Sequence, residues 1–167
     1  MLSGQCLAVH AETTATFQVS ATIASGCVVM GATNVTSGDV GSFGTLDFDT
    51  APALSQDTVM ANIALTSGIT IRCTPGTSLR MTIDGGLHAS NGLRHVATAD
   101  GAQVAYRVRL SPYTAAFVGL NESNAIALNF GALSYVDFKL PIHGVLDLPG
   151  NVHGGDYTDT LQVTLAW

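Results

Sequence analysis

The sequence predicts an all-β protein, an antiparallel β-sandwich in one domain, on three observations. From Phe17 onward apolar and polar residues alternate with a period of two, the signature of strands with one face buried and one wet. Turn-forming residues separate these runs at regular spacing. No stretch supplies the roughly ten residues of helical periodicity that a crossover helix needs, which disfavours a parallel α/β sheet. The 167 residues suit one domain with its own core, since single domains run to roughly 100–200 residues. No internal repeat, linker or shift of composition marks a second.

The first run sets Phe17, Val19, Ala21 and Ile23 against Gln18, Ser20 and Thr22. Ile69, Ile71 and Cys73 then alternate with Thr70 and Arg72, which puts Cys73 on the apolar face of its strand. Leu79, Met81 and Ile83 alternate with Arg80 and Thr82, and Val104, Tyr106, Val108 and Leu110 with Ala105, Arg107 and Arg109. Val136, Phe138, Leu140 and Ile142 form a further run whose end Pro141 demotes to an edge, because proline cannot donate to a ladder. The last run sets Leu161, Val163, Leu165 and Trp167 against Thr160, Gln162, Thr164 and Ala166. Between the runs lie Pro75-Gly76, Asp84-Gly85-Gly86, Asn91-Gly92, Asp100-Gly101, Pro149-Gly150-Asn151 and Gly154-Gly155-Asp156. Asn91-Gly92 is a favoured signal for a two-residue hairpin.

Charged residues make up 11% of the chain, against about 25% in an average domain, and the six basic residues include a single lysine, Lys139. A net charge of -6 without a basic cluster lacks the positive footprint that phosphate backbones require, so nucleic acid is excluded as a partner. The longest uncharged stretch, Thr13 to Gly38, is too rich in Thr, Ser, Gly and Asn for a bilayer, and no transmembrane segment is expected. Cys6, Cys27 and Cys73 are too few and too scattered for a zinc or iron–sulfur cage, so neither metal nor cofactor is expected.

Residues 1–11 end in Leu7-Ala8-Val9-His10-Ala11, with Val9 and Ala11 at the spacing a signal peptidase reads. They are read as the tail of a truncated secretory signal, the alternative being a frayed terminus. If cleavage follows Ala11, two cysteines remain, and Cys27–Cys73 is then the available bridge of an exported protein. The competing reading is a pair of buried free thiols in a cytosolic protein.

No G-x-S-x-G elbow, H-E-x-x-H, Walker loop or G-x-G-x-x-G occurs, and the chain is read as non-catalytic. His88 and His95 flank the Asn91-Gly92 turn near Asp84, where a metal pair is conceivable, but ordinary exposed turn histidines are the preferred reading. Asp156 and Asp159 flank Tyr157 and invite an acid/base pair; they are read instead as acids that end and solubilise a strand edge. Asn34-Val35-Thr36 and Asn121-Glu122-Ser123 match the glycosylation sequon, a triplet too short to carry weight.

Thr16-Phe17-Gln18-Val19 through Ile23-Ala24-Ser25-Gly26-Cys27, then Phe43-Gly44-Thr45-Leu46-Asp47-Phe48, Cys73-Thr74-Pro75-Gly76, Ile83-Asp84-Gly85-Gly86 and Gly155-Asp156-Tyr157-Thr158-Asp159-Thr160 follow one another in an order that resembles the spore coat protein U domain family. That family is found in subunits of archaic chaperone–usher pili. The resemblance implies an incomplete immunoglobulin-like sandwich, one strand short, completed by an N-terminal donor strand of another subunit. It implies as partners a periplasmic chaperone, an outer-membrane usher and other pilus subunits. The protein would pass through the periplasm to cell-surface fimbriae and support adhesion and biofilm formation, as a shaft or adaptor subunit.

On that reading residues 12–26 are the donor segment and 27–167 the pilin domain. Phe17, Val19, Ala21 and Ile23 are the donor side chains, and Leu161, Val163, Leu165 and Trp167 form the edge of the acceptor groove. The residues read the same way by themselves: an apolar strand ends the chain with nothing downstream to cover its edge, and the Phe17–Ile23 run has the spacing of a strand that augments a sheet. Burying Phe17, Val19 and Ile23 would contribute on the order of 5–8 kcal/mol gross. The alternative is a self-contained secreted sandwich that binds a ligand such as a glycan, with Phe17–Ile23 as its own first strand; a secreted hydrolase ranks third.

Overall fold

The computed structural model describes residues 18–31, 41–65 and 69–167. The expected signal tail with Cys6, the donor side chain Phe17 and the sequon at Asn34 lie outside the described residues. Among those described, the chain forms eleven strands and no helix: β1 (Cys27–Met30), β2 (Gly44–Leu46), β3 (Thr58–Leu65), β4 (Thr70–Cys73), β5 (Arg80–Ile83), β6 (Arg94–Ala97), β7 (Gln103–Arg109), β8 (Ser123–Ala125), β9 (Val136–Phe138), β10 (His143–Asp147) and β11 (Val163–Ala166). Every strand pair is antiparallel.

One layer is the five-stranded sheet β2-β3-β10-β7-β6. The other consists of two three-stranded sheets, β1-β4-β9 and β11-β5-β8, whose central strands β4 and β5 follow each other in the chain. Trp167 meets Gly26, one residue before β1, so close that an added Cβ on that glycine would stand 3.3 Å from the indole nitrogen. This contact places β1 and β11 end to end along the same side of β4 and β5, with β9 and β8 along the other. Inward residues of both layers meet in one core: Ile71, Cys73, Met81 and Ile83 from β4 and β5, Val104, Tyr106 and Val108 from β7, and Leu146 from β10.

The alternating runs at Ile69–Cys73, Leu79–Ile83 and Val104–Leu110 correspond to β4, β5 and β7, with the apolar phase buried in each. Two runs depart from expectation. Val136–Ile142 is not one strand: β9 ends at Phe138, Leu140 and Ile142 are buried as the chain changes layer, and β10 begins at His143 in the other sheet. Pro141 supplies the reason, since a residue without an N–H marks a natural break in a ladder. The described part of the Phe17–Ile23 run forms no strand, and residues 18–25 are exposed. Alternation creates an apolar face, but a strand also needs a backbone to pair with, and pairing with β4 starts only at Cys27.

The Asn91-Gly92 turn forms as expected. Ser90 and Leu93 exchange hydrogen bonds of 3.0 and 2.9 Å, with φ of 50° at Asn91 and 75° at Gly92. Both central residues are left-handed, as a type I′ turn requires. Replacing Gly92 with alanine should therefore cost about 1–2 kcal/mol, the penalty for placing a Cβ in this region, measurable as a lower urea midpoint. Much of the sparse charge is paired across strands: Arg72 grips Asp137 at 2.6 and 2.7 Å and lies over the Tyr135 ring, while Arg107 pairs with Asp147. The Arg72 hydrogen bond holds the Asp137 carboxyl below the ordinary carboxylate range.

Candidate functional site

The alternation of the last run turns Val163 and Leu165 inward, where they are half-buried against the core, and turns Thr164 and Ala166 to solvent. One edge of β11 pairs with β5 in the register Val163↔Ile83 to Ala166↔Arg80. Among the described residues no strand pairs with its other edge, and the same is true of β1 beside β4. Leu161, Val163 and Leu165, with Cys27 and Val29 of β1, thus line a rim whose apolar side chains pack against the core on one side and, among the described residues, meet no strand on the other. An unpaired strand edge presents main-chain groups to which another extended backbone can pair.

The N-terminal end of β1 is firmly held. Cys27 forms a disulfide with the fully buried Cys73. Thr74 N donates to Gly26 O at 3.0 Å, and Gly26 N donates to Thr74 Oγ1 at 2.9 Å. Immediately upstream of this anchor residues 18–25 form no strand and are exposed: Val19 is 80% exposed and Ile23 94%, and Ala21 is also exposed. Of the residues read as an acceptor edge, Leu161, Val163 and Leu165 come together on the core-facing side. Trp167 stands at the junction with Gly26 and is 56% exposed.

Sequence reasoning misplaced one acid. Asp156 is exposed, but Asp159, expected to solubilise an edge, has a side chain only 3% exposed. Its carboxylate accepts from Tyr106 Oη at 2.7 Å and from Leu87 N at 2.9 Å, with His88 Nδ1 at 3.7 Å. An added Cβ at Gly86, where φ is 79°, would overlap this carboxylate, so both space and backbone demand glycine there. Burial, then the hydrogen bond to Asp159, pushes the Tyr106 phenol far above its ordinary range. The available signal was parity: Asp159 shares its phase with Leu161, Val163 and Leu165, and so with the inward face.

Next to it lies Arg94, buried at 2% exposure. Its guanidinium donates to the carbonyls of Asp84 (2.7 Å), Val118 (2.8 Å), Ile83 (2.9 Å) and Gly119 (3.1 Å). Desolvation lowers its pKa. His95 Nδ1 stands 3.4 Å from Ser90 Oγ. Among the described residues no three metal-binding side chains cluster, and no helix is long and apolar enough to cross a membrane.

A family model described as the Spore Coat Protein U domain matches residues 13–164. Among solved structures, the chain is similar to a chain in the crystal structure of the CsuC–CsuE chaperone–tip adhesion subunit pre-assembly complex from archaic chaperone–usher Csu pili of Acinetobacter baumannii. The two share 15% identity with a TM-score of 0.49, over 87% of this chain and 41% of that one. The chain therefore spans less than half the length of that solved chain. No curated protein matches it.

Proposed function

The chain belongs to the Spore Coat Protein U domain family, and from that premise we propose that it is a non-catalytic subunit of a chaperone–usher pilus, assembled by exchange of an N-terminal donor strand. Its antiparallel two-layer architecture is consistent with the immunoglobulin-like sandwich this role requires. One observation carries the reading: Val19 and Ile23 stand almost fully in solvent while β11 has an edge with no partner among the described residues. An exposed apolar segment and an incompletely covered apolar rim on one chain are complementary surfaces for two copies or two related subunits.

In this proposal residues 1–11 are the remnant of an export signal, 12–26 the donor segment and 27–167 the domain. Phe17, Val19, Ala21 and Ile23 enter the neighbour's rim at Leu161, Val163, Leu165 and Trp167. A periplasmic chaperone covers the rim in transit, an outer-membrane usher passes the subunit outward, and surface fimbriae built from it support adhesion and biofilm formation.

A labelled peptide of residues 17–23 titrated into the full-length protein tests the reading. The native peptide should bind, and its Val19→Asp version should show no measurable binding, because a carboxylate entering an apolar slot without a partner is strongly opposed. Equal binding of both peptides, or binding of neither, overturns the proposal.

A further inference from the structure

The segment entering β11 is tied to both layers by polar groups. Thr158 exchanges two main-chain hydrogen bonds with Ala97 of β6, each 2.9 Å. Four residues on, Gln162 O accepts from Asp84 N at 3.1 Å and Gln162 N donates to Asp84 Oδ1 at 2.9 Å, at the end of β5. Between these ties sits the buried Asp159 carboxylate, joined to Tyr106 of β7 and to the main chain at Leu87. The apolar side chains of β11 are only half-buried, so packing alone leaves the strand undetermined on its open side.

We propose that Asp159, held by Tyr106, is the positioning residue of the rim: it fixes the crossover into β11 so that the unpaired edge is in place before another strand arrives. This rests on the reading of β11 as an acceptor. An edge already ordered spares the incoming strand the cost of ordering it, and that saving appears directly as affinity. The effect is local, because the ties act on residues 158–162 while the disulfide end of the rim is anchored independently.

The test compares the full-length protein with its Tyr106→Phe variant, reading affinity for the residue 17–23 peptide and hydrogen exchange strand by strand. Tyr106→Phe should weaken binding about tenfold or more, the loss expected when a hydrogen bond to a buried carboxylate is removed. Exchange should quicken at the amides of 163–166 and stay unchanged in β1 and β4. Asp159→Asn, which also alters the acceptor of Leu87 N, should weaken binding at least as much, and the double variant should lose no more than Asp159→Asn alone, since both act on the same link; if Tyr106→Phe fails to fold, Asp159→Asn carries the comparison. Tyr157→Phe is the control, as that hydroxyl donates to His153 O and not to Asp159. Unchanged affinity, additive losses, or exchange that quickens uniformly through the sheets overturns the proposal. If the unaltered protein does not bind the peptide, the subunit reading falls and this proposal with it; if it binds and the variants bind equally well, only this proposal falls.

Discussion

Removing the Cys27–Cys73 disulfide, by reduction or as the Cys27→Ser/Cys73→Ser double variant, is expected to lower the unfolding free energy by about 4 kcal/mol. The bridge closes a loop of 46 residues in sequence, and that length sets the entropy it withholds from the unfolded chain. A domain of this size has roughly 5–15 kcal/mol in all, so the loss consumes a large part of its stability. The native side of the balance points the same way. β1 pairs with β4 over only four residues, Cys27↔Cys73 to Met30↔Thr70, and has no second neighbour among the described residues. Urea unfolding with and without reductant measures the effect, and a difference below about 1 kcal/mol contradicts the stabilising role assigned to the bridge.

Arg94→Met is expected to cost about 3–5 kcal/mol, because each buried carbonyl left without its donor costs about 1–3 kcal/mol and several lose theirs together. The methionine fills much of the volume but donates nothing, leaving the carbonyls of Ile83, Asp84, Val118 and Gly119 without this donor. These four oxygens belong to two segments, Ile83 and Asp84 at the end of β5 and Val118 and Gly119 before β8, so the guanidinium also sets how those segments lie together. Arg94→Lys keeps the charge and should recover only a minor part, because an ammonium is a compact point and cannot fork toward carbonyls on both segments. Denaturant unfolding of the three proteins decides this; a lysine variant as stable as the original would show that charge, not geometry, matters at this site.

What the sequence conveys about this fold depends on how each strand is covered. β4, β5 and β7 bury one face, so their alternation is plain in Ile71-Cys73, Met81-Ile83 and Val104-Tyr106-Val108. β10 is central in its sheet and buries Gly144, Val145 and Leu146 in succession, which removes the period altogether. β3 carries Met60 exposed beside Ala61 buried, so its hydrophobicity runs against its orientation. The rim was legible through Val163 and Leu165 because they obey parity. Arg94 was not, since the carbonyls it holds lie 10 to 25 residues away in sequence; Asp159 was legible in its phase but not in its partner. The acid's environment is decided by Tyr106, 53 residues earlier, a distance no local pattern reaches.

The placement of the disulfide also has a mechanical meaning. Tension applied through residues 18–25 reaches Gly26 and, one residue later, a covalent bridge to Cys73 in the central strand of its three-stranded sheet. The pull is therefore delivered into the middle of the sheet and bypasses the four-residue ladder of β1, which would otherwise peel open one hydrogen bond at a time. With the bridge intact the load bears on β4 together with both its neighbours; with it reduced, the first structure to yield is β1 alone.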